Sequence, residues 1–446
     1  MSTERVANFV AELSFDKLPP EVVLQAKKAI RDVIGVMVAS HGDRAVEAAR
    51  RMVTARGGKR ESTLIGTGRK VPCELAAFAN AAMATTLDLE DGSMGLPGHP
   101  RFHRGHPGGM VVATSLATAE REKATGKQFI EAVVAGYEIE LATAWAIGES
   151  VLAGRTGTYG TAAAAAKLLG LSREEIVHTL CIAEAHCPAP TYAFIWSRTD
   201  MTKEAPAWAA MTGTSAALLA RAGFRGSPTI YDLPGADKNP VESLGREWEI
   251  LGIYFKPHST CRVVHAALDG TIEIMKEKHL SAGRVSKVTV GCSRQKSLKM
   301  ANYRPENIWQ AQYSIPFVVG SVLADGEAGP AQIAEKRLGD SLILQYADKV
   351  MLVPDDRVEA LLPGHFAASV EVETTDGRKF KTFKRYPKGE PENPMAEWEL
   401  IDKFKRLTSE VMGPERTGEL VNIVGEIEKL ENVNYLIEKV AHFVTV

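Results

Sequence analysis

The sequence predicts a mainly α-helical fold in which a large, discontinuous all-helical domain carries a smaller α+β domain. Alanine is abundant and β-branched residues are sparse until about residue 280, and the period-two alternation that is typical of strands begins only after that point. A chain of 446 residues is also too long for one simple core, which favours two domains. We predict an all-helical domain over 1–265 plus 391–446 and an α+β domain over 266–390.

Helices in the first part are predicted from apolar residues spaced three and four positions apart. The start, MSTERVANFVAELSF, forms an amphipathic helix that contains acids, which is unlike a signal peptide. A second helix opens at Leu18-Pro19-Pro20-Glu21, where proline suits the first turn, and runs to about Ser40. Further helices are predicted over 75–87, 108–121, 128–147, 161–169 and 206–222, with Gly223 placed to cap the last of them.

Strands are predicted in the region that follows. Residues 285–290 (VSKVTV) and 368–373 (ASVEVE) alternate between apolar and polar positions. Asp376-Gly377 is a strong hairpin signal, which predicts a partner strand over 379–384. Residues 346–353 form another candidate strand. From Pro394 the helical pattern returns, and it ends in a last helix near 435–442.

The composition excludes several classes of function. Hydrophobic residues make up 45% and charged residues 24%, which is ordinary for a soluble globular protein. A net charge of −2 without a dense Lys/Arg run argues against nucleic acid or an anionic membrane as the main partner, and no apolar run is long enough to span a bilayer. The five cysteines form no CxxC pair, which argues against a disulfide framework or a thiolate zinc site. We expect a cytoplasmic protein.

The stretch from Thr85 to Glu120 concentrates residues that suit proton transfer. Its acids, in LDLED, are followed by His99, His103 and His106, and His-Pro-Gly-Gly fixes the backbone at the last of these before a helix begins. Two other interpretations stay open. The spacing H-x3-H-x2-H is compatible with zinc or iron, with Asp88 or Asp91 as a fourth ligand. Alternatively, this is an acidic helix end before a solvated loop, which is the default for His99 and His103.

A cationic cluster, KPHSTCRVVH, occupies residues 256–265. Ser259 or Thr260 is suited to N-cap the next helix, where free N–H groups bind anions. Arg262 and His265 lie three positions apart and share a helix face, so together with the lysine that opens the segment they predict a carboxylate pocket. The alternative is a charged helix end with a core-facing His265.

A further cation, Lys203, lies just before the helix that starts at Pro206. A positive charge there opposes the helix dipole, which is a hint that the lysine is kept for its charge or its reactivity. The alternative is an exposed lysine in a loop.

The chain resembles the MmgE/PrpD family of cofactor-free lyases and isomerases over nearly its full length. The resemblance implies a large all-helical domain, a smaller α+β domain, a cleft between them and a homodimer. The matching segments, in family order, are LPPEVVLQAKKAIRDVIG, AAFANAAMATTLDLED followed by HPGG, AAAAAKLLGLS, DMTK, ARAGFRG, KPHSTCRVVHAALDG, AQYSIPFVVGSVLADG and NPMAEWELIDKFKRL.

The resemblance also implies a site and a substrate class. Activities in the family are 2-methylcitrate dehydration, cis-aconitate decarboxylation and iminodisuccinate epimerisation, all on small polycarboxylates. The residues that match family active-site positions are Asp88, His106, Lys203, Lys256 and Tyr313. We expect substrate binding by Arg262, His265, Arg155 and Asp91.

Among the departures from the family pattern, two favour epimerisation: the loop over 96–104 and a missing histidine. The usual acid signature LD-x-DD is LDLED here, and the loop over 96–104 is also unusual. The dehydratase and decarboxylase branches usually carry a histidine a few residues before the AAAAAK helix, whereas residues 152–159 (LAGRTGTY) contain none and offer Arg155 instead. One acid–base group of those branches is therefore missing.

These observations lead to the hypothesis of an epimerase that needs no cofactor or metal and acts on a small polycarboxylate such as iminodisuccinate. Lys203, Lys256 and Arg262 bind carboxylates and spread the enediolate charge. His106 and Tyr313, or a buried neutral lysine, are the candidate bases, and Asp88 orients His106. The alternatives are a 2-methylcitrate dehydratase-like or cis-aconitate decarboxylase-like lyase, a polycarboxylate-binding protein without turnover, and a zinc hydrolase built on the histidine loop.

Overall fold

Helices dominate the chain up to residue 277 in the computed structural model, which describes residues 2–148, 153–188, 205–227, 229–233 and 237–443. The predicted mainly α-helical fold is confirmed. The helices of this part are α1 (Ser2–Glu12), α2 (Pro20–Ala39), α3 (Arg44–Arg56), α4 (Cys73–Thr85), α5 (Pro107–Glu122), α6 (Gly126–Ile147), α7 (Ala153–Leu168), α8 (Arg173–His186), α9 (Pro206–Arg221), α10 (Asn239–Ser243) and α11 (His265–Glu277).

Small residues let the central helices α5, α6, α7 and α9 approach one another closely. A Cβ on Gly160 of α7 would lie 2.7 Å from the carbonyl oxygen of Gly136 in α6, and a Cβ on Gly213 of α9 would overlap the Thr161 hydroxyl. Glycine is required at such crossings because any side chain would push the helix axes apart. The alanine-rich stretches that predict these helices therefore also determine how tightly they pack.

The remainder of the chain forms a four-stranded sheet with further helices. Two short antiparallel pairs precede this sheet in the chain: β1 (Ser62–Thr63) with β2 (Lys70–Val71), and β3 (Gly92–Ser93) with β4 (Ile253–Tyr254). The strands of the sheet are β5 (Val285–Cys292), β6 (Val350–Pro354), β7 (Ala368–Thr374) and β8 (Lys379–Lys384). The helices are α12 (Arg294–Lys299), α13 (Ile308–Gln312), α14 (Ile315–Asp325), α15 (Pro330–Ile333), α16 (Ser341–Ala347), α17 (Asp356–Glu359), α18 (Glu397–Met412), α19 (Pro414–Gly425) and α20 (Asn434–Ala441). The strand order is β6-β5-β7-β8, with β6 parallel to β5 and the other pairs antiparallel. The hairpin predicted at Asp376-Gly377 joins β7 to β8.

Two large apolar clusters make up most of the core. One contains residues between 13 and 255 together with residues between 395 and 440, and the other contains residues between 264 and 372. Helix α11 covers the sheet, where a Cβ on Gly270 would lie 2.8 Å from Val370. The boundaries at 265 and 391 stay a prediction.

Three local predictions need correction. Helix α7 begins at Ala153, ahead of the predicted 161, and Tyr346 lies in α16, so that β6 starts only at Val350. Neither Ser259 nor Thr260 caps the helix after the cationic segment, because a 3-10 turn intervenes before α11, and the Ser259 hydroxyl instead donates to the carbonyl of Leu87 at 2.6 Å.

Within the described ranges, no helix has both the length and the apolar character needed to cross a membrane.

Candidate active site

A two-residue strand pair joins the acidic stretch to the cationic segment. Strand β3 (Gly92–Ser93) pairs with β4 (Ile253–Tyr254), although about 160 positions separate them in the chain. This pairing places Lys256 against Asp88, and the ammonium donates to both the carboxylate and the main-chain carbonyl of Asp88, the latter at 3.0 Å. Both side chains are buried. A buried charge requires such a partner, so the structure brings two of the predicted catalytic residues together as an ion pair.

Asp91 holds the start of α5. One carboxylate oxygen accepts a hydrogen bond from the main-chain N–H of Gly108 at 3.0 Å, and the other accepts one from the Tyr137 hydroxyl at 2.6 Å. Burial raises the pKa of Asp91 to about 7. A Cβ on Gly108 would lie 2.5 Å from the carboxylate, so only glycine fits there. These contacts are internal, and they argue for a positioning role in place of the predicted substrate binding.

The ring of His106 is held by a main-chain carbonyl. Its Nδ1 lies 3.0 Å from the carbonyl oxygen of Asp91, and because a carbonyl only accepts, Nδ1 carries the hydrogen. In the neutral ring, Nε2 therefore has the lone pair, and it lies 3.2 Å from Nε2 of His103. We expected Asp88 to orient His106. The hydrogen bond at Nδ1 is to the carbonyl of Asp91, and an orienting role for Asp88 stays a prediction.

Tyr254 is a site residue that the sequence analysis missed. It packs edge-on against His106, with ring centroids 6.5 Å apart, and the Arg262 guanidinium covers its face at 4.5 Å. Its hydroxyl is buried and has no hydrogen-bond partner among the described residues. Burial raises its pKa well above 10, so it stays a proton donor. Its position two residues before Lys256 was the only signal in the sequence.

Gly92 allows this approach. A Cβ there would overlap the Tyr254 hydroxyl and lie 2.9 Å from Nδ1 of His106. The glycine is therefore a steric requirement of the site, since any side chain would separate the tyrosine from the histidine.

Arg262 uses all five of its N–H groups within the protein. Nε and Nη2 donate to the Glu390 carboxylate at 3.1 and 3.0 Å, and the remaining N–H groups reach the carbonyls of Lys388 and Pro387 and the Nδ1 of His265. The guanidinium has five donors in total. This arrangement argues against the predicted binding of substrate by Arg262 and assigns it to holding the 387–390 loop.

His265 is likewise committed to internal contacts. Its Nε2 donates to the carbonyl of Thr260 at 3.2 Å while Nδ1 accepts from Arg262 at 3.3 Å. Burial, together with the nearby Arg262 charge, lowers its pKa well below 6.5, so the ring is neutral. The core-facing alternative describes His265 better than the predicted role in substrate binding.

The three loop histidines do not converge. His99 lies between Glu249, at 2.7 Å from Nδ1, and Glu247, at 3.0 Å from Nε2, and its ring contacts Trp145. The expectation of a solvated His99 is therefore wrong, because its ring is held between two carboxylates. Among the described residues, no group of three or more His, Cys, Asp or Glu side chains is arranged to hold a metal ion.

Three predicted residues keep their status as predictions. Tyr313 is buried at the end of α13, where its ring stacks on Trp309 with centroids 6.2 Å apart. Arg155 is half-buried in the first turn of α7, and its charge acts on the nearby Cys187. Lys203 lies outside the described residues.

Glu140 of α6 is a further buried acid of this region. A Cβ on Gly105 would lie 2.7 Å from its Oε1, and a Cβ on Gly160 would lie 3.2 Å from its Oε2. The carboxylate is therefore adjacent both to the loop that leads into His106 and to the helix that carries Arg155. In the sequence this residue is an acid within a mostly apolar run, which gives no indication of its neighbours.

Comparisons with known proteins match most of the chain. Residues 4–235 match the model of the MmgE/PrpD N-terminal domain, and residues 258–428 match that of the MmgE/PrpD C-terminal domain. Similar proteins include the human cis-aconitate decarboxylase, 25% identical over 97% of this chain and 93% of its own length. The cis-aconitate decarboxylase-like protein of Aspergillus oryzae is 24% identical, over 98% of this chain and 96% of its own. The cis-aconitate decarboxylase of Aspergillus terreus is 23% identical, over 98% and 95%.

Proposed function

This chain belongs to the MmgE/PrpD family, and we propose that it transfers a proton at a carbon next to a carboxylate in a small polycarboxylate. A lyase reaction of the cis-aconitate type is the first candidate, supported by the names of three relatives that align over nearly the whole chain. The observation that carries the proposal is the carbonyl of Asp91, which fixes the hydrogen of His106 on Nδ1 and so puts the lone pair of the neutral ring on Nε2, the nitrogen that faces His103.

His106 acts on the reacting carbon through Nε2. In a decarboxylation, CO₂ leaves, the electrons of the broken bond stay on carbon, and the protonated Nε2 returns a proton to that carbon. In a dehydration, Nε2 removes the carbon-bound proton as hydroxide leaves. One positioned acid–base group is worth about 10²–10⁴-fold, so stabilisation of the developing charge supplies the rest. The Nε2 of His103 lies 3.2 Å from that of His106, and the Tyr254 ring packs edge-on against the same imidazole, so both side chains are candidate donors to that charge.

Epimerisation of iminodisuccinate is the second candidate, which the sequence analysis favoured. One observation supports it: the described part of the segment 152–159, the first two turns of α7, contains no imidazole and offers Arg155. An epimerase needs a second base on the opposite face of the carbon, for which Tyr313 remains the candidate.

Proton NMR in D₂O separates the candidates, with cis-aconitate, 2-methylcitrate and iminodisuccinate offered separately. New vinyl signals from cis-aconitate, or a new alkene from 2-methylcitrate, identify a lyase. Loss of the α-proton signal of iminodisuccinate without a new compound identifies an epimerase. We expect His106→Gln to lower turnover by roughly 100-fold or more. His186 is an exposed histidine at the end of α8, and we expect His186→Gln to leave turnover unchanged. Equal turnover in both variants would refute the assignment.

We also propose a homodimer, as the family resemblance implies. Supporting it, α9 carries Trp208 and Leu219 on its surface, 50% and 42% exposed. Sedimentation velocity should give twice the chain mass for the wild type and a monomer for Trp208→Glu. The control is Trp398→Glu on α18, where the tryptophan is 70% exposed. A wild-type species of monomer mass would refute the dimer.

A further inference from the structure

Lys296 of α12 is a buried ammonium that lacks a hydrogen-bond acceptor. Its side chain is only 7% exposed, and Nζ has no acceptor among the described residues. It lies 4.7 Å from the centroid of the Phe366 ring, a contact that satisfies only part of what the ammonium loses when it leaves water. Burial lowers its pKa to about 8, and the titratable groups near enough to act on it are Cys261, Cys292 and Glu359. An unsatisfied buried cation is costly, so its retention needs a reason.

Phe366 connects this ammonium to the candidate active site. The same ring lies 6.5 Å from that of His103, whose Nε2 is 3.2 Å from Nε2 of His106. The Phe366 ring is therefore a common neighbour of Lys296 and of the histidine pair. The half-buried Cys261, one residue before Arg262, borders the same position.

Two other cations of the candidate site already have internal carboxylates. Lys256 pairs with Asp88 and Arg262 with Glu390, so a substrate carboxylate would compete there with a buried anion. At Lys296, a substrate carboxylate would instead supply the acceptor that the protein does not. Charge-assisted hydrogen bonds of this kind are short and strong in a buried setting.

We propose that Lys296 binds a carboxylate of the substrate and thereby sets the preference for tricarboxylates over dicarboxylates. The inference rests on the proposed function, because it assumes that a small polycarboxylate occupies the site of His106. It extends that function by naming a specificity-determining residue in the sheet region.

Calorimetric titration with two unreactive probes tests the inference. Propane-1,2,3-tricarboxylate carries three carboxylates and glutarate carries two. For Lys296→Met we expect the dissociation constant of the tricarboxylate to rise about 10- to 100-fold and that of glutarate to change less, from the strength of charge-assisted hydrogen bonds. Lys296→Arg keeps the charge and should retain most of the affinity. The matched control is Lys299→Met, an exposed lysine on the same helix.

The outcomes separate this inference from the proposed function. If the wild type binds and converts a polycarboxylate but Lys296→Met binds the tricarboxylate equally well, Lys296 is only a structural cation and the inference fails. If the wild type neither binds nor converts any of the offered polycarboxylates, the proposed function itself fails.

A second measurement avoids dependence on the folding of the variant. Wild-type protein is treated with an acetylating reagent near pH 8, and modification is read by mass spectrometry. We expect propane-1,2,3-tricarboxylate to protect Lys296 and to leave Lys299 unprotected, since only the first is in the proposed site. Equal modification of Lys296 with and without the tricarboxylate, at a concentration that saturates the wild type, would overturn the inference.

Discussion

Glu249 anchors the loop that leads to the histidine pair, and Glu249→Gln is the substitution that tests this. Its carboxylate contacts the buried Arg104 at 2.7 Å, Nδ1 of His99 at 2.7 Å and the main-chain N–H of Leu96 at 3.2 Å. Glutamine preserves the size of the side chain but removes the charge. The guanidinium of Arg104 then stays buried without its carboxylate.

The expected loss in the free energy of unfolding depends on the contacts that Arg104 keeps in the variant. Breaking a buried ion pair by removing one partner costs about 3–5 kcal/mol. Arg104 retains a hydrogen bond to the carbonyl of Pro100 at 2.7 Å, and its guanidinium lies 4.9 Å from the ring of Trp145. Since the amide oxygen of the new glutamine is also still an acceptor, we expect a loss of about 2–4 kcal/mol in the free energy of unfolding.

The assay is urea unfolding followed by circular dichroism and by tryptophan fluorescence. Trp145, one of six tryptophans in the chain, contacts both His99 and Arg104, so its share of the emission responds to changes in the loop. The matched control is Glu247→Gln, which removes the other carboxylate on His99. Because the Glu247 side chain is 54% exposed, we expect that loss to be at most about 1 kcal/mol. Equal losses for the two variants would refute the reasoning that burial decides the cost.

Three further predictions concern the site itself. Gly92→Ala should lower turnover roughly 100-fold, because the added methyl separates Tyr254 from His106, whereas Gly283→Ala, in open space, should not. Tyr254→Phe should leave the urea midpoint unchanged, since the described residues offer the hydroxyl no partner, but should lower turnover roughly 100-fold if the hydroxyl is a donor to the reacting group. Asp91 has a pKa of about 7 in the folded protein against 3.8 in an exposed carboxyl, so the folded state binds more protons between these values and its stability falls as pH rises through that window. Asp91→Asn should remove this part of the slope, and an unchanged difference in urea midpoint between wild type and variant from pH 4 to pH 8 would contradict the shift.

Features encoded by neighbouring residues were predictable, and pairings between distant residues were not. The proline at the start of α2 and the Asp376-Gly377 hairpin are local signals, and both were read correctly. The partner of Lys256 lies 168 positions away, and no local pattern encodes it. Likewise, the proline and glycines after His106 distinguish it from His99 in the sequence, but nothing there indicates that Glu249 binds one ring and the carbonyl of Asp91 the other. The structure therefore brings together segments that the sequence singled out, while the contacts of their individual residues needed the three-dimensional arrangement.

The internal ion pairs also limit which cations of the site are available to the carboxylates of a substrate. A polycarboxylate binds to cations, but every N–H group of Arg262 already has a partner within the protein, chiefly Glu390 and the loop carbonyls. A substrate that displaced Glu390 would leave its carboxylate buried without a partner, which is costly. Discrimination between substrates with two and three carboxylates therefore depends on cations that lack an internal carboxylate partner, and within the described ranges Lys296 meets that condition. It follows that removing the charge of Lys296 changes which polycarboxylate is preferred, whereas removing the charge of Arg262 first lowers stability by freeing the 387–390 loop.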